Sequence, residues 1–257
     1  MKIQRISALS DNYIFLLYDQ DSQTAAVVDP AEAKPVLQCL DELGLQLVAI
    51  FNTHHHYDHI GANNQLLEHF PRLCIYGGSE DRGRIPGQQV FLKDSDRIEF
   101  AKRVGQVFFL PGHTRAHIAY YFPPNSPQDT GELFCGDTLF AGGCGRLFEG
   151  TPTQMVNSLT KLRNLPDNTR IWCAHEYTLK NLEFALTIDQ DNLALKNRYN
   201  QVKELRHQKQ ATVPSLLKEE KLTNPFLRWD NVAIQSTIGN TDPVRVFAKI
   251  RGMKDRF

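Results

Sequence analysis

Residues 52–63 read NTHHHYDHIGAN, placing four histidines and one aspartate between positions 54 and 59. Ahead of this run lies LVAIFNT (47–53), a short apolar stretch of strand character. Behind it, the segment from Gly61 to Phe70 suits a short helix. A strand-to-helix turn crowded with imidazoles narrows the choice of folds, because the turn must open where several rings can converge. In an extended chain alternate side chains face the same way, so His54 and His56 share one side and His55 takes the other. Past Tyr57 the backbone has to turn toward Gly61, which swings Asp58 and His59 to a second point. Four of the five donors are therefore expected to divide between two metal positions, with His55 a bystander.

Two adjacent ions need more than four ligands, and other strand ends supply them. LPGHTRAH offers His113 after a Pro-Gly turn, FCGDTLF offers Asp137 and WCAHEY offers His175. The set then holds five histidines and two aspartates. Such nitrogen and oxygen donors suit borderline divalent cations, zinc first, with iron or manganese as the other candidates.

Up to about residue 175 short apolar strands alternate with amphipathic stretches. YIFLLYD (13–19), AAVVDP (25–30), LVAIFNT and LCIYGG (73–78) read as strands, with helix expected around 31–43. QVFFLPGHT, HIAYYF, ELFCGDT and RIWCAHE add four strands, and a helix around 153–164 follows Thr151-Pro152. This mixture implies sheets covered by helices, an α/β layered domain. Beyond Tyr177 the texture changes. Leu195, Tyr199, Val202 and Leu205 keep a helical rhythm, and Asp242-Pro243 opens a last helix with Val244, Phe247 and Ile250 on one face. Domains over 1–175 and 176–257 are expected, the second helical.

Lysine plus arginine (29) balances aspartate plus glutamate (29), so no global field draws in nucleic acid or a membrane. No apolar run reaches 18 residues, and the first residues lack a leader pattern. The five cysteines have irregular spacing and no CxxC, which fits a reducing, cytoplasmic setting rather than a disulfide framework. No coiled-coil repeat is present, and a monomer is expected.

THHHYDH followed by PGHT, CGD and AHE resembles the metallo-β-lactamase superfamily, whose fold is a four-layer αββα sandwich. The resemblance is closer to the glyoxalase II (hydroxyacylglutathione hydrolase) family and runs along almost the whole chain. FCGDTLFAGGCGRLFEGT, CAHEYTLKNLEFA, TNPFLR and the terminal RGMKD carry it. It implies that His54, His56 and His113 bind one metal, that Asp58, His59 and His175 bind the other, and that Asp137 bridges them. Asp29, in VVDP, would support the metal loops from behind. Arg146, Phe148, Tyr177, Arg251 and Lys254 would hold the glutathione moiety. Arg251 and Lys254 lie three apart on the last helix, so both can face one way. Some relatives carry tyrosine where this chain has Phe148 and lysine where it has Arg146. Phe148 removes one hydroxyl contact to the glycyl end.

The implied reaction is hydrolysis of an S-(2-hydroxyacyl)glutathione, S-D-lactoylglutathione foremost, to D-lactate and glutathione, the second step of methylglyoxal detoxification. The expected nucleophile is a hydroxide bridging the two metals and oriented by Asp58. No GxSxG elbow competes for the role. Two cousins remain as alternatives. A mononuclear-iron glutathione persulfide dioxygenase would need only one metal, which leaves Asp58, His59 and His175 without a purpose. A metal-dependent nuclease would need a basic groove.

Overall fold

The computed structural model describes residues 1–126 and 128–257. The chain divides into two compact units. One comprises Met1–Phe109 with Ala116–Gly136, the other Leu110–Arg115 with Asp137–Phe257.

The first unit is built on a sheet of β1 (Lys2–Ala8), β2 (Asn12–Asp19), β3 (Thr24–Val28), β4 (Gln46–Phe51), β5 (Cys74–Gly78) and β6 (Val90–Leu92), in that spatial order. β1 to β3 form an antiparallel meander, and β3 to β6 run parallel. Parallel strands need crossovers. α1 (Ala33–Leu43) joins β3 to β4, and α2 (Tyr57–Ile60) with α3 (Asn63–His69) follows β4. The crossover helices bury Val36, Leu40 and Leu66 against Leu16, Val27, Ile50 and Ile75 of the sheet. Each such side chain contributes about 1.5–3 kcal/mol when fully buried. α1 ends at Gly44, whose φ of 63° is left-handed, and Leu45 N–H reaches back to the Leu40 carbonyl at 2.9 Å. No atom crowds the place of a Cβ at Gly44, so backbone conformation alone calls for glycine there. The unit also holds an antiparallel ladder of β7 (Arg97–Phe100), β8 (Arg103–Phe109), β9 (Ile118–Phe122) and β10 (Glu132–Gly136). β9 and β10 are buried along their whole length.

The second unit contains the small hairpin β11 (Leu139–Phe140) and β12 (Gly143–Cys144), the pair β13 (Arg170–Cys173) and β14 (Ser215–Leu216), and six α-helices among the described residues. α4 (Pro152–Arg163) opens with a capping box between Thr151 and Gln154, with proline in its first turn. α5 (Thr178–Ile188) packs on α6 (Leu193–His207) through Leu182, Ala185, Leu195 and Val202. Asn192 caps α6 by accepting from Leu195 N–H at 3.1 Å. α7 (Leu217–Thr223), α8 (Val232–Ile238) and α9 (Pro243–Asp255) complete the chain, and Asp242 accepts from Arg245 N–H to cap α9. No helix among the described residues is long and apolar enough to cross a membrane.

Mixed sheets with helices, followed by a helical C-terminal region, match the expected α/β class. Several elements differ from the sequence reading. β1 went unread because only Ile6 and Ala8 of it are buried and polar residues stand between its apolar ones. The helix expected from Gly61 to Phe70 is α3 (Asn63–His69), but a separate short helix, α2 (Tyr57–Ile60), precedes it, so Asp58 and His59 ride on a helical turn. In α6 the buried face includes Arg198, a residue that apolar rhythm does not mark.

Candidate metal centre and substrate cavity

The histidine turn sits at the end of β4 in the first unit. Asp29 organises it. This residue has φ of 49°, a left-handed conformation that aspartate tolerates better than most side chains. Its carboxylate accepts Thr53 N–H at 2.7 Å and the Thr53 hydroxyl at 2.6 Å, and it lies 2.9 Å from His59 Nδ1. The Thr53 hydroxyl is in turn 3.0 Å from His54 Nδ1. Both rings are thus oriented through Nδ1, which turns Nε2 outward as a donor, the arrangement that metal-binding histidines use. His54 Nε2 lies 3.1 Å from His56 Nδ1, a spacing that suits one shared cation. His59 Nε2 lies 3.6 Å from Asp58 Oδ2. Asp29, His54 and His59 form a buried group whose donor atoms lie within 4.8 Å of one another.

His55 points elsewhere. Its Nδ1 is 3.1 Å from Asp81 Oδ1 and its Nε2 is 3.3 Å from Arg84 Nη1. Arg84 also grips Asp81 at 2.6 Å. A guanidinium against Nε2 and a carboxylate against Nδ1 engage both ring nitrogens. The fifth donor therefore anchors the turn.

Three more residues support this end. Asn12 donates to Asp58 Oδ2 at 3.0 Å and to the Asp58 carbonyl at 3.2 Å. His117 stacks on His54 with ring centroids 4.7 Å apart. The Tyr120 hydroxyl donates to the Asn52 carbonyl at 2.8 Å, and burial holds that phenol well above its usual pKa.

In the second unit, His113 Nδ1 lies 2.9 Å from the Arg146 carbonyl, so its N–H donates there and Nε2 faces Asp137 Oδ2 at 3.4 Å. His175 Nε2 faces the other oxygen, Asp137 Oδ1, also at 3.4 Å. One carboxylate thus presents a separate oxygen to each of two histidines. Gly145 permits this. A Cβ there would sit 2.0 Å from the Asp137 carbonyl oxygen and 2.9 Å from His113 Nδ1. His175 follows β13 and stacks on Tyr177 with centroids 4.7 Å apart and planes within 3°.

Beside these residues lies a cavity of about 720 Å³. His113, Asp137, Arg146, Phe148, Tyr177, Arg251 and Lys254 all line it. Arg251 is buried and well held. Its Nη1 donates to the Cys144 carbonyl at 2.9 Å, its Nη2 lies 2.9 Å from Asp255, and its guanidinium stands 5.1 Å over the Phe226 ring. Arg146 is exposed, 3.7 Å from the same Asp255 carboxylate. Lys254 Nζ donates to the Lys180 carbonyl at 3.2 Å. Burial first, then the neighbouring Arg251 charge, lowers its pKa from the usual lysine range to about 8. Phe148 is exposed, with its ring edge-on to His113 at 5.2 Å.

Every candidate named from sequence thus falls in one of two places. His54, His56, Asp58, His59 and Asp29 belong to the histidine turn. His113, Asp137, His175 and the five substrate candidates belong to the second unit. The sequence reading missed Asn12, Asp81, Arg84, His117, Asn181 and Asp255. Asp81 and Arg84 are spaced i, i+3 in SEDRGR, the one local signal available for that pair.

The family model of the metallo-beta-lactamase superfamily matches residues 11–175, and that of the hydroxyacylglutathione hydrolase C-terminus matches residues 176–257. The hydroxyacylglutathione hydrolase of Rippkaea orientalis (strain PCC 8801 / RF-1) is 82% identical over the whole of both chains. Among solved structures, ETHE1 from Myxococcus xanthus has a TM-score of 0.67 at 25% identity, covering 99% of this chain and 98% of its own. TTHA1623 in a di-iron-bound form has a TM-score of 0.60 at 25% identity, covering 88% of this chain and all of its own. The two matched families share out the chain from residue 11 to its last residue, and the chain belongs to the hydroxyacylglutathione hydrolases of the metallo-beta-lactamase superfamily.

Proposed function

We propose that the protein hydrolyses S-(2-hydroxyacyl)glutathione, with S-D-lactoylglutathione as the foremost substrate, releasing a 2-hydroxy acid and glutathione. One observation carries this reading above the others: His113 and Asp137 share a single cavity wall with Arg146, Arg251 and Lys254. Metal donors and anion-binding groups in one cavity suit a substrate with a reactive carbonyl at one end and carboxylates at the other. The relative from Rippkaea orientalis bears the name of this activity.

The donor set fits a divalent metal pair. In this reading His54, His56 and His113 hold one ion, Asp58, His59 and His175 hold the other, and Asp137 bridges. The two-histidine presentation of Asp137 supports two ions over the single-iron dioxygenase alternative, and so does the di-iron form of TTHA1623. Zinc is the ion we assign first, with iron or manganese as substitutes. When bound, the ions would activate water and polarise the thioester carbonyl.

The chain's own residues do the rest. Asn12 donates to Asp58 Oδ2 and so orients the carboxylate that would ligate metal and direct the attacking water. Arg146 and Lys254 receive the carboxylates of glutathione. Tyr177, locked against His175, borders the thiol half. A thiol of pKa about 8.5 leaves readily as thiolate, so no general acid is required. Residues 1–175 form the metal-binding catalytic domain, and residues 176–257 contribute glutathione recognition. We place the enzyme in the cytoplasm as a monomer, without nucleic-acid or membrane partners; its five free thiols and balanced charge support that setting.

The test is loss of thioester absorbance from S-D-lactoylglutathione, with and without a chelator. Metal-dependent turnover that His54→Ala or Asp137→Ala abolishes is expected. Full activity in either variant, or turnover indifferent to the chelator, would refute the assignment.

A further inference from the structure

The hairpin β11–β12 is too short to hold its own shape. It has two residues per strand, joined through Ala141 and Gly142, whose φ is 71°. A ribbon of that size is not stable in water by itself. Arg146 lies just behind it, so its conformation sets where that proposed substrate ligand stands.

Side chains from the helical region hold four backbone groups of this turn. Asn224 Nδ2 donates to the Phe140 carbonyl at 3.2 Å and to the Gly143 carbonyl at 3.0 Å. Asn181 Nδ2 donates to the Ala141 carbonyl at 3.1 Å. Glu220 Oε2 accepts Gly142 N–H at 2.8 Å and Asn224 Nδ2 at 3.0 Å. The other Glu220 oxygen pairs with buried Arg198. Asn224 and Glu220 are wholly buried and Asn181 nearly so. Gly143 is shaped to this clamp, since a Cβ there would lie 2.6 Å from Asn181 Nδ2. Asn224 and Glu220 lie outside the cavity lining, whereas Asn181 is part of it, so Asn224 reads the clamp apart from direct contact with substrate.

We propose that Asn224, Asn181 and Glu220 are positioning residues that lock the 139–145 hairpin and so set Arg146 and the adjoining cavity wall for glutathione. This rests on the reading that glutathione binds in that cavity. Neutral stabilisation of the fold is the competing explanation, and the two separate by readout. A clamp that only stabilises would lower Tm and leave ligand affinity alone. A clamp that positions the wall would weaken glutathione binding in protein that remains folded.

The decisive variants are Asn224→Asp and Asn181→Asp. Asn224→Asp is isosteric and keeps Oδ1 as the acceptor for Phe226 N–H, now 3.0 Å away. It turns an oxygen toward two carbonyls and the Glu220 carboxylate. Calorimetric titration with S-hexylglutathione, a non-hydrolysable thioether, reads affinity apart from turnover. Loss of a buried hydrogen-bond set predicts a Kd increase of about tenfold for Asn224→Asp and about threefold for Asn181→Asp. KM for S-D-lactoylglutathione should rise in parallel while kcat stays within about twofold, the pattern of lost ground-state binding. Wild-type Kd and KM in either folded variant, whatever its Tm, would overturn the proposal. Should Asn224→Asp fail to fold, Glu220→Gln, at a clamp residue outside the cavity lining, decides by the same criterion. Arg251→Ala is run alongside. If it too leaves Kd unchanged, the glutathione site itself is misplaced, whereas a weakened Arg251→Ala beside unaffected asparagine variants rejects the clamp alone.

Discussion

The histidine turn of the first unit and the cavity wall of the second solve different problems. In the turn, His54 and His59 are fully buried, and each is oriented through Nδ1 by Asp29 directly or through Thr53. On the wall, Arg146 and Phe148 are exposed, and the Arg146–Asp255 pair at 3.7 Å is a loose surface contact worth about 0–1 kcal/mol. Metal chemistry tolerates little displacement of its donors, so the turn is stiffened by buried hydrogen bonds. Recognition of a flexible tripeptide can use cations that move to meet it. The turn is rigid out to its side chains, whereas the wall sets exposed Arg146 and Phe148 side chains on a backbone held by buried Asn224, Glu220 and Arg251.

Asp29→Asn tests the stiff end and should have the largest effect. Asparagine keeps tolerance for the left-handed backbone but removes the charge that fixes His59 Nδ1 and Thr53. Zinc affinity, read by competition with a chromogenic chelator, should fall about 10–100-fold. An unchanged affinity would mean that the turn owes its order to packing. The wall should respond to pH instead. Lys254 is charged below its pKa of about 8 and loses that charge as pH rises through it. kcat/KM for the glutathione thioester should therefore drop about threefold to fivefold above that pH, as expected for one partly exposed ion pair. Lys254→Arg should move the drop to higher pH, and a drop that persists at the same pH would assign it to another group. The smallest effect belongs to Phe148→Tyr. A hydroxyl on this exposed ring should lower KM about twofold, the yield of one solvent-facing hydrogen bond. A larger gain would show that the wall is more rigid than the comparison holds.

The same contrast explains what could be read from the amino-acid order. His54, His56, Asp58 and His59 lie within six residues, and strand alternation alone separates His55 from its neighbours. Arg251 and Lys254 could be paired because one helical turn relates them. Asn12 could not, since its contact with Asp58 spans 46 positions and asparagine in SDNYIF reads as a turn residue. Asp81 and Arg84 look like a solvated charge pair, yet Asp81 is fully buried, because the chain folds it beneath His55. Arg198 hides in an apolar rhythm for a related reason: its partner Glu220 lies on another helix, and only tertiary packing brings the charges together. The main strands and helices of the α/β region were readable because burial on one or both faces leaves a period. The small hairpin was not, because its shape comes from distant side chains.

Cys144 borders the cavity with its thiol pushed up to about 11, chiefly by burial and against the opposing pull of Arg251. Disulfide exchange proceeds through thiolate, and a sulfur so reluctant to ionise is a poor attacker at neutral pH. Glutathione disulfide carries the same carboxylates as the substrate and would be drawn to the same cations, yet it meets no reactive sulfur beside them. Disulfide exchange at Cys144 is therefore disfavoured even when a glutathione-like molecule fills the cavity.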